Sequence, residues 1–181
     1  MGWAGANGIL SDCKFTSNNA KVDGGAIIWG SPNGILSSST FTSNIALDGG
    51  AIICWAINFT LTKSTFTNNI ADYGGGISLF GNNNIVSSST FINNTANRVS
   101  GGAIHWGNGG HMLNCSFINN KSINSKYNGI YINKDLNIDG GKGIVDIFTN
   151  NTTLSGASIV VLNNETYYYP PNTNINLIKY R

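Results

Sequence analysis

A unit of about 25 residues, repeated along the chain, constrains this sequence more than any other feature. The pattern F-x-x-N-x-A occurs four times, and a fifth copy keeps its Phe and Asn. The repeated positions are Phe15, Phe41, Phe66, Phe91 and Phe117, and Asn18, Asn44, Asn69, Asn94 and Asn120. Between copies stand a glycine pair, a small residue and an isoleucine, which gives Ile27, Ile52, Ile77 and Ile104. Successive phenylalanines are 26, 25, 25 and 26 residues apart, a regularity that chance does not explain.

A unit this short, made of brief strands and Gly/Asn turns, cannot bury its own apolar face, so the copies must stack on one another. Leucine-rich repeats have a similar period, but the leucine scaffold that they need is missing here. The repeat therefore predicts an all-β fold, a right-handed parallel β-helix (solenoid) with about 25 residues per coil. Each coil should rise by the ordinary inter-strand spacing of about 4.8 Å.

The residue types in each column predict which side chains face inward. The column of isoleucines should lie in the core, and alternation places Trp3, Trp29, Cys54, Leu79 and Trp106 on the same side of the strand. The intervening column accepts polar groups and is predicted to face outward; it comprises Ile28, Ile53, Ser78 and His105. The Asn column should turn a corner where side-chain amides bond to one another, and the glycine pairs should form another corner. These columns are predicted to serve folding rather than chemistry.

The 181 residues fit one domain, or one domain with a short appendage. Residues 1–122 are predicted to form the coils, and they start in mid-coil because no glycine pair precedes Trp3. We therefore expect the chain to be a fragment of a longer protein. Residues 123–181 are predicted to form degenerate C-terminal coils and a cap, or the start of a following β module, and the sequence leaves both open.

The low content and scattered placement of charged residues argue against nucleic-acid binding. Charged residues make up 10% of the chain, against about 25% in an ordinary soluble domain, and the ten Lys and Arg residues are scattered. A nucleic-acid binder would instead show a basic cluster. No apolar run approaches the roughly 18 residues needed to cross a bilayer, and the N-terminus lacks the pattern of a signal peptide. Any membrane attachment is expected through an anchor in the parent protein.

Candidate chemical groups are few, and no catalytic, cofactor or metal site is predicted. Asp23, Asp48 and Asp72 lie near the glycine pairs, where stacking would make a carboxylate column. Asp before Gly is ordinary turn chemistry, with calcium binding and acid–base catalysis as the alternatives. His105 and His111 lack the partners of a triad. The cysteines Cys13, Cys54 and Cys115 should be buried free thiols, since Cys13 and Cys115 share a column about 19 Å apart at the coil rise, beyond disulfide reach.

The alternation of G-G-A-[I/V/L] with F-x-x-N resembles the repeat of chlamydial polymorphic outer-membrane proteins. It also resembles the β-helical repeats of adhesin-like surface proteins in bacteria and methanogenic archaea, and the resemblance spans about residues 3–122. It implies an extracellular, surface-displayed stalk or adhesin without enzymatic activity or cofactor. The implied partner is a ligand on a host cell, a neighbouring cell or the matrix, with a glycan among the candidates.

Two other functions stay open on the sequence. Pectate-lyase-like β-helices include polysaccharide lyases and hydrolases, so a carbohydrate-active enzyme is the main alternative, although fold alone does not carry activity. Such an enzyme needs two or three carboxylates and a base on neighbouring coils. A structural spacer without a ligand is the third possibility. For a binding protein, the predicted contact strip is the outward column of Ile28, Ile53, Ser78 and His105, with Trp106 nearby.

Overall fold

The computed structural model describes residues 1–108, 110–123, 130–132, 136–148, 151–155, 159–162, 165–168 and 174–178, with side chains over 1–98, 101–108 and 110–123. Over those ranges the chain forms strands and turns and contains no helix. The strands are β1 (Gly2–Trp3), β2 (Ile9–Ser11), β3 (Lys14–Thr16), β4 (Ile27–Trp29), β5 (Ile35–Ser37), β6 (Thr40–Thr42), β7 (Ile52–Cys54), β8 (Thr60–Thr62), β9 (Thr65–Thr67), β10 (Ile70–Tyr73), β11 (Ile77–Leu79), β12 (Asn84–Ser87), β13 (Thr90–Ile92), β14 (Thr95–Ser100), β15 (Ile104–Trp106), β16 (Gly110–Ile118), β17 (Lys121–Ser122), β18 (Ile130–Ile132), β19 (Leu136–Phe148), β20 (Asn151–Ser155), β21 (Ile159–Leu162), β22 (Glu165–Tyr168) and β23 (Asn174–Ile178). In the described ranges, no helix of the length and apolar character needed to cross a membrane occurs.

Each coil contributes strands to three faces, and each strand pairs in parallel with its counterpart one repeat away. Face A consists of β1, β4, β7, β11, β15 and β18, paired in that order. Face B carries two strand columns, β2–β5–β8–β12 and β3–β6–β9–β13, and β16 continues both. Face C consists of β10, β14 and β17. This arrangement confirms the predicted parallel β-solenoid.

The core is filled by ladders of like side chains. The isoleucine column of face A is fully buried, and Trp29, Cys54, Leu79 and Trp106 lie beside it. The phenylalanine column runs through face B, where neighbouring rings stack at 4.8 to 5.2 Å between centroids. Ser39, Ser64 and Ser89 are buried next to these rings. Because each ring packs between the rings of the adjacent coils, the apolar face that one repeat leaves exposed is covered by its neighbours.

The asparagine column forms a continuous amide ladder at the corner between faces B and C. In each step the backbone N–H and the side-chain Nδ2 of one Asn donate to Oδ1 of the next, from Asn18 through to Asn120. Nδ2 of Asn69 also donates to the Phe41 carbonyl, 3.0 Å away. The ladder therefore supplies partners for buried polar groups at a bend where strand pairing is interrupted.

The chain changes direction at positions where the backbone adopts a left-handed conformation, and these positions recur from coil to coil. Non-glycine residues with positive φ occupy three corner positions in each of the first four coils, and Asn or Ser fills most of them, as in Asn33, Ser38 and Ser43. The first glycine of each pair fills a fourth position, with φ of 62° at Gly49. The second glycine is needed for close approach, because a Cβ on Gly50 would overlap the carbonyl oxygen of Gly75 in the next coil.

Strands β18 to β21 carry the parallel pairing beyond residue 122. β18 pairs with β15, β19 pairs with β16, and β20 and β21 both pair with β19. The last two strands reverse direction, since β22 pairs antiparallel with β21 and β23 with β20. Most of the side chains of 123–181 lie outside the described residues, so the division of the chain at residue 122 stays a prediction.

Candidate ligand-binding surface

The residues of face A that were predicted to form an exposed contact strip are mostly buried. Ile28 is 38% exposed, but Ile53 and Ser78, its neighbours in the column, are both 0% exposed. Trp106 points into the core and is also buried. The prediction of a continuous exposed strip was therefore wrong. At Ser78 the cause is the corner before Gly74, which lies against face A.

Contacts at Ser78 show how this corner covers the strand. The Ser78 hydroxyl donates to the Tyr73 carbonyl oxygen at 3.3 Å. The Ser78 side chain also lowers the pKa of the Asp48 carboxyl, so these two side chains lie close together. Alternation along a strand predicts which side of the sheet a residue takes, but it does not predict whether another segment packs on that side.

Four aromatic rings, Trp55, Phe80, His105 and Tyr73, form an outer aromatic cluster beside face A. The Trp55 and Phe80 rings stack with centroids 4.5 Å apart and planes 15° from parallel. His105 and Phe80 make a T-shaped contact with centroids 5.2 Å apart, and the Tyr73 ring lies 6.0 Å from the His105 ring. Nδ2 of Asn108 donates to the Phe80 carbonyl. Trp55 is 50% exposed, so the cluster presents an indole to solvent.

Packing within this cluster changes the chemistry of His105. Burial lowers the pKa of the His105 imidazole from 6.5 to about 4. At neutral pH the ring is therefore uncharged and adds aromatic surface to the cluster rather than positive charge. His111 is placed on face B, opposite Ile85, and is exposed, so the two histidines do not share a site.

The acidic residues do not form the predicted column of three carboxylates. Asp23 is the register partner of Asp48, but the partner of Asp48 in the next coil is Tyr73. Asp72 instead stands one position earlier, where its backbone N–H donates to the Leu47 carbonyl. Its carboxylate lies 3.1 Å from Nε of Arg98. The inclusion of Asp72 was wrong because the column follows distance from the glycine pair, and Tyr73 is the residue directly before Gly74.

The remaining pair, Asp23 and Asp48, has an unusual electrostatic setting. Burial raises the pKa of the Asp48 carboxyl, and the charge of Asp23 raises it further, while hydrogen bonds from Ser78 and from the backbone of Gly49 lower it. Within the part of the chain that the structure describes, no three His, Cys, Asp or Glu side chains come together as a metal site.

The cysteines lie apart from this surface. All three are free, with Cys54 and Cys115 buried and Cys13 half-buried. Burial raises the pKa of both the Cys54 and Cys115 thiols to about 12, so they stay protonated at neutral pH. A protonated thiol is a poor nucleophile and a poor metal ligand.

Sequence reasoning missed Trp55, Phe80 and Tyr73 as surface residues. Trp55 and Phe80 are 25 residues apart and each directly follows a face-A strand, so their spacing matches the repeat. This was the available signal. It was hidden because the equivalent position in the neighbouring coils is a glycine, Gly30 on one side and Gly107 on the other.

Two segments match the Chlamydia polymorphic membrane protein repeat. The matched residues are 63–79 and 88–105, about a fifth of the chain. Each match runs through a face-B strand, the face-C corner and a face-A strand, so it includes both the F-x-x-N and the glycine-pair motifs. The match confirms the resemblance to the polymorphic membrane protein repeat, as a likeness of the repeat unit.

No curated protein and no solved structure matches the chain significantly. The polymorphic membrane protein repeat comes from surface proteins of the outer membrane, and both this likeness and the solenoid fold are consistent with an adhesin-like surface repeat protein.

Proposed function

We propose that this chain is part of a non-enzymatic, adhesin-like protein that is displayed outside the cell and binds a ligand on a host cell, a neighbouring cell or the matrix. The observation that carries the proposal is the match of two coils to the polymorphic membrane protein repeat. A stacked solenoid suits this role because each added coil extends the rod without changing its cross-section. The binding surface is the outer aromatic cluster.

The repeated polar residues make structural hydrogen bonds, which supports a function without catalysis. The asparagine column is occupied by the amide ladder, and the buried serines beside the phenylalanines donate to nearby carbonyls, as Ser64 does to Thr62 at 2.9 Å. Asp72 is paired with Arg98. Among the described side chains, the Asp23–Asp48 pair is the one place where two carboxylates meet, and no third His, Cys, Asp or Glu joins it.

The aromatic cluster supports a role in binding. Exposed aromatic residues are enriched where proteins bind partners, because a rigid ring buries a large area at a low cost in conformational entropy. Trp55 offers half of its surface to solvent and is held in place by Phe80. Exposed isoleucines elsewhere, such as Ile9 and Ile118, lie on face B and present no aromatic ring to solvent.

Attachment of protein-coated fluorescent beads to cell monolayers and to matrix-coated plates tests this function. We expect the protein to increase attachment over uncoated beads, and Trp55→Ala to reduce the increase at least fivefold. Ile9→Ala, which removes an exposed apolar side chain from face B, is the matched control and should leave attachment unchanged. Equal attachment by coated and uncoated beads on every surface would contradict the proposal.

A second assay addresses the enzyme alternative. The protein is incubated with neutral and acidic polysaccharides, and reducing ends and unsaturated products are measured. We expect neither to accumulate. Product formation that is lost in Asp48→Asn would show that the Asp23–Asp48 pair is catalytic and that the non-enzymatic assignment is wrong.

A further inference from the structure

The stack of Trp55 and Phe80 ends on both sides at a glycine. Gly30, Trp55, Phe80 and Gly107 occupy the same position in successive coils, directly after the face-A strand. Their backbone bonds show this, since the N–H of Trp55 donates to the Trp29 carbonyl at 3.0 Å and the N–H of Phe80 to the Cys54 carbonyl at 2.8 Å. Phe80 therefore lies on one side of Trp55 along the rod, and Gly30 lies on the other.

The side of Trp55 that faces Gly30 is open. A Cβ added to Gly30 would have one atom within 4 Å, the Trp3 carbonyl oxygen at 3.5 Å, so the indole does not fill that space. Rings in the neighbouring phenylalanine ladder are 4.8 to 5.2 Å apart, about the rise of one coil. The level of Gly30 thus leaves room for a ring on the open side of Trp55, and we call this space the open rung.

The opposite end of the stack is closed. The His105 ring lies against Phe80 in a T-shaped contact, with the centroids 5.2 Å apart. A Cβ added to Gly107 would come within 2.8 Å of the Phe80 ring. A further ring can therefore be added to this stack at the open rung and not beyond Phe80.

The surroundings of the open rung select a neutral ligand. Between residues 24 and 62 the sequence carries one charged side chain, Asp48. The exposed neighbours in sequence are apolar, with Ile28 two residues before Gly30 and Ile57 two residues after Trp55. A ligand with a formal charge would find no partner on these segments other than this carboxylate.

The turn that follows the open rung supplies hydrogen-bonding groups. Asn33 and Asn58 come three residues after Gly30 and Trp55, and both are exposed. Nδ2 of Asn58 donates to Oδ1 of Asn33 at 3.1 Å. Since an amide nitrogen carries two hydrogens, each amide keeps a second N–H for a ligand hydroxyl.

We propose that the open rung binds a neutral pyranose ring of a glycan, with the C–H face of the sugar on the Trp55 indole and its hydroxyls near the Asn33 and Asn58 amides. A neutral sugar ring fits the site in three ways. Its apolar C–H face suits the indole, its lack of charge suits the nearly uncharged surroundings, and its hydroxyls can accept from the amide N–H groups. The inference rests on the proposed function and names the ligand class of the same surface. It also explains why the position beside Trp55 is best left without a side chain.

NMR spectroscopy of the tryptophan indole N–H groups provides the test. The probes are maltohexaose, mannohexaose, galactohexaose and chitohexaose, each titrated to millimolar concentration. We expect at least one to shift the Trp55 signal, while the buried Trp29 and Trp106 serve as internal references. Gly30→Trp, which fills the rung with a ring of the protein's own, should weaken binding at least tenfold, whereas Ile9→Ala should not. Circular dichroism and thermal unfolding establish that both variants are folded.

The outcomes separate this inference from the proposed function. If no hexasaccharide shifts the Trp55 signal but protein-coated beads still attach, the glycan assignment is overturned and the adhesin function stands. A shift at Trp55 with tyrosine-containing peptides and with no sugar also overturns it, because the rung then takes a protein side chain. Sugar binding that Gly30→Trp leaves intact places the site elsewhere and overturns it as well. If the protein binds no sugar and protein-coated beads do not attach, both proposals are overturned.

Discussion

Asn44 forms two hydrogen bonds to a single atom of Asn69. Its backbone N–H and its Nδ2 both donate to Oδ1 of Asn69, each at 2.9 Å. Asn69 makes the same pair of bonds to Asn94, at 3.0 and 2.9 Å. One side-chain oxygen thus satisfies a backbone donor and a side-chain donor of the adjacent coil, and the ladder joins coils where the strands do not.

Replacing Asn69 with alanine should be strongly destabilising. The change leaves the Asn44 N–H and the Phe41 carbonyl without their amide partner at a buried corner, and each such group costs about 1–3 kcal/mol. We expect the free energy of unfolding to fall by about 3 kcal/mol or more in urea titrations. Asn58→Gly is the control, since glycine keeps the positive φ of 56° and the amide it removes is exposed. A similar loss in both variants would contradict the assigned role of the ladder.

A central phenylalanine should matter more than a terminal one. Phe66 is buried between Phe41 and Phe91, with both centroids at 4.8 Å. Phe66→Ala is expected to cost about 3–5 kcal/mol, because it creates a cavity and removes two ring contacts. Phe15 is half-buried and stacks on one ring, so Phe15→Ala should cost clearly less. Equal midpoints in denaturant would show that the rings do not act as a stack.

The glycine pairs predict a sharp contrast between two alanine substitutions. Gly50→Ala would place a methyl group against the Gly75 carbonyl and the Ile70 backbone, which cannot move without separating two coils. We expect a protein that is insoluble or unfolds at much lower temperature. Gly30→Ala meets its nearest atom at 3.5 Å and should keep the melting temperature within a few degrees. If thermal unfolding of Gly50→Ala matches the unsubstituted protein, the close approach of the coils is refuted.

His105 should make the fold less stable in mild acid. Its pKa is lowered to about 4 in the folded state against 6.5 when unfolded, so between these values the unfolded chain binds more protons. Stability is therefore present in full above pH 6.5 and is lost as pH falls toward 4, by about 3 kcal/mol in total. Asp48, whose pKa is raised, acts in the opposite direction, so the difference between the unsubstituted protein and His105→Gln isolates the histidine. A pH-independent difference from pH 7 to pH 4 would contradict the burial of this ring.

Thiol reactivity should distinguish the three cysteines. Cys54 and Cys115 are buried with pKa values of about 12, whereas Cys13 is half-buried at one end of the rod. We expect Ellman's reagent to modify Cys13 first in the native protein and all three after denaturation. Cys13→Ser should remove the rapid phase. Rapid modification of a second thiol in that variant would show that the core opens on the time scale of the assay.

The fold followed from the sequence because one physical requirement fixed it. A repeat with a single apolar face must be covered by its neighbours, and strict spacing of residues such as Phe41 and Phe66 allows only stacking in register. The same reasoning works for the inside of the coil, where a column of isoleucines tolerates no polar group. It depends only on period and on alternation within a strand.

The outside of the coil could not be predicted in the same way. Ser78 is polar and alternates outward, yet it is buried because the Tyr73 corner lies over it. Trp55 and Phe80 occupy the same position one repeat apart and stack, but Gly30 and Gly107 stand there in the neighbouring coils, so the two rings do not show as a column in the sequence. Surface contacts that occur in one or two coils, such as those of Ser78 and Trp55, depend on residues that the other coils lack, so the period alone does not encode them.

The advance of the chain per coil has a mechanical consequence. One coil lengthens the rod by about 4.8 Å, whereas its 25 or so residues, when pulled straight, span about 80 Å. A rod held at both ends under flow would therefore lengthen in steps as its terminal coils unfold. Each coil that unfolds would expose the amides and rings of the next coil. The ladders that give the rod its shape also set the tension at which it begins to stretch.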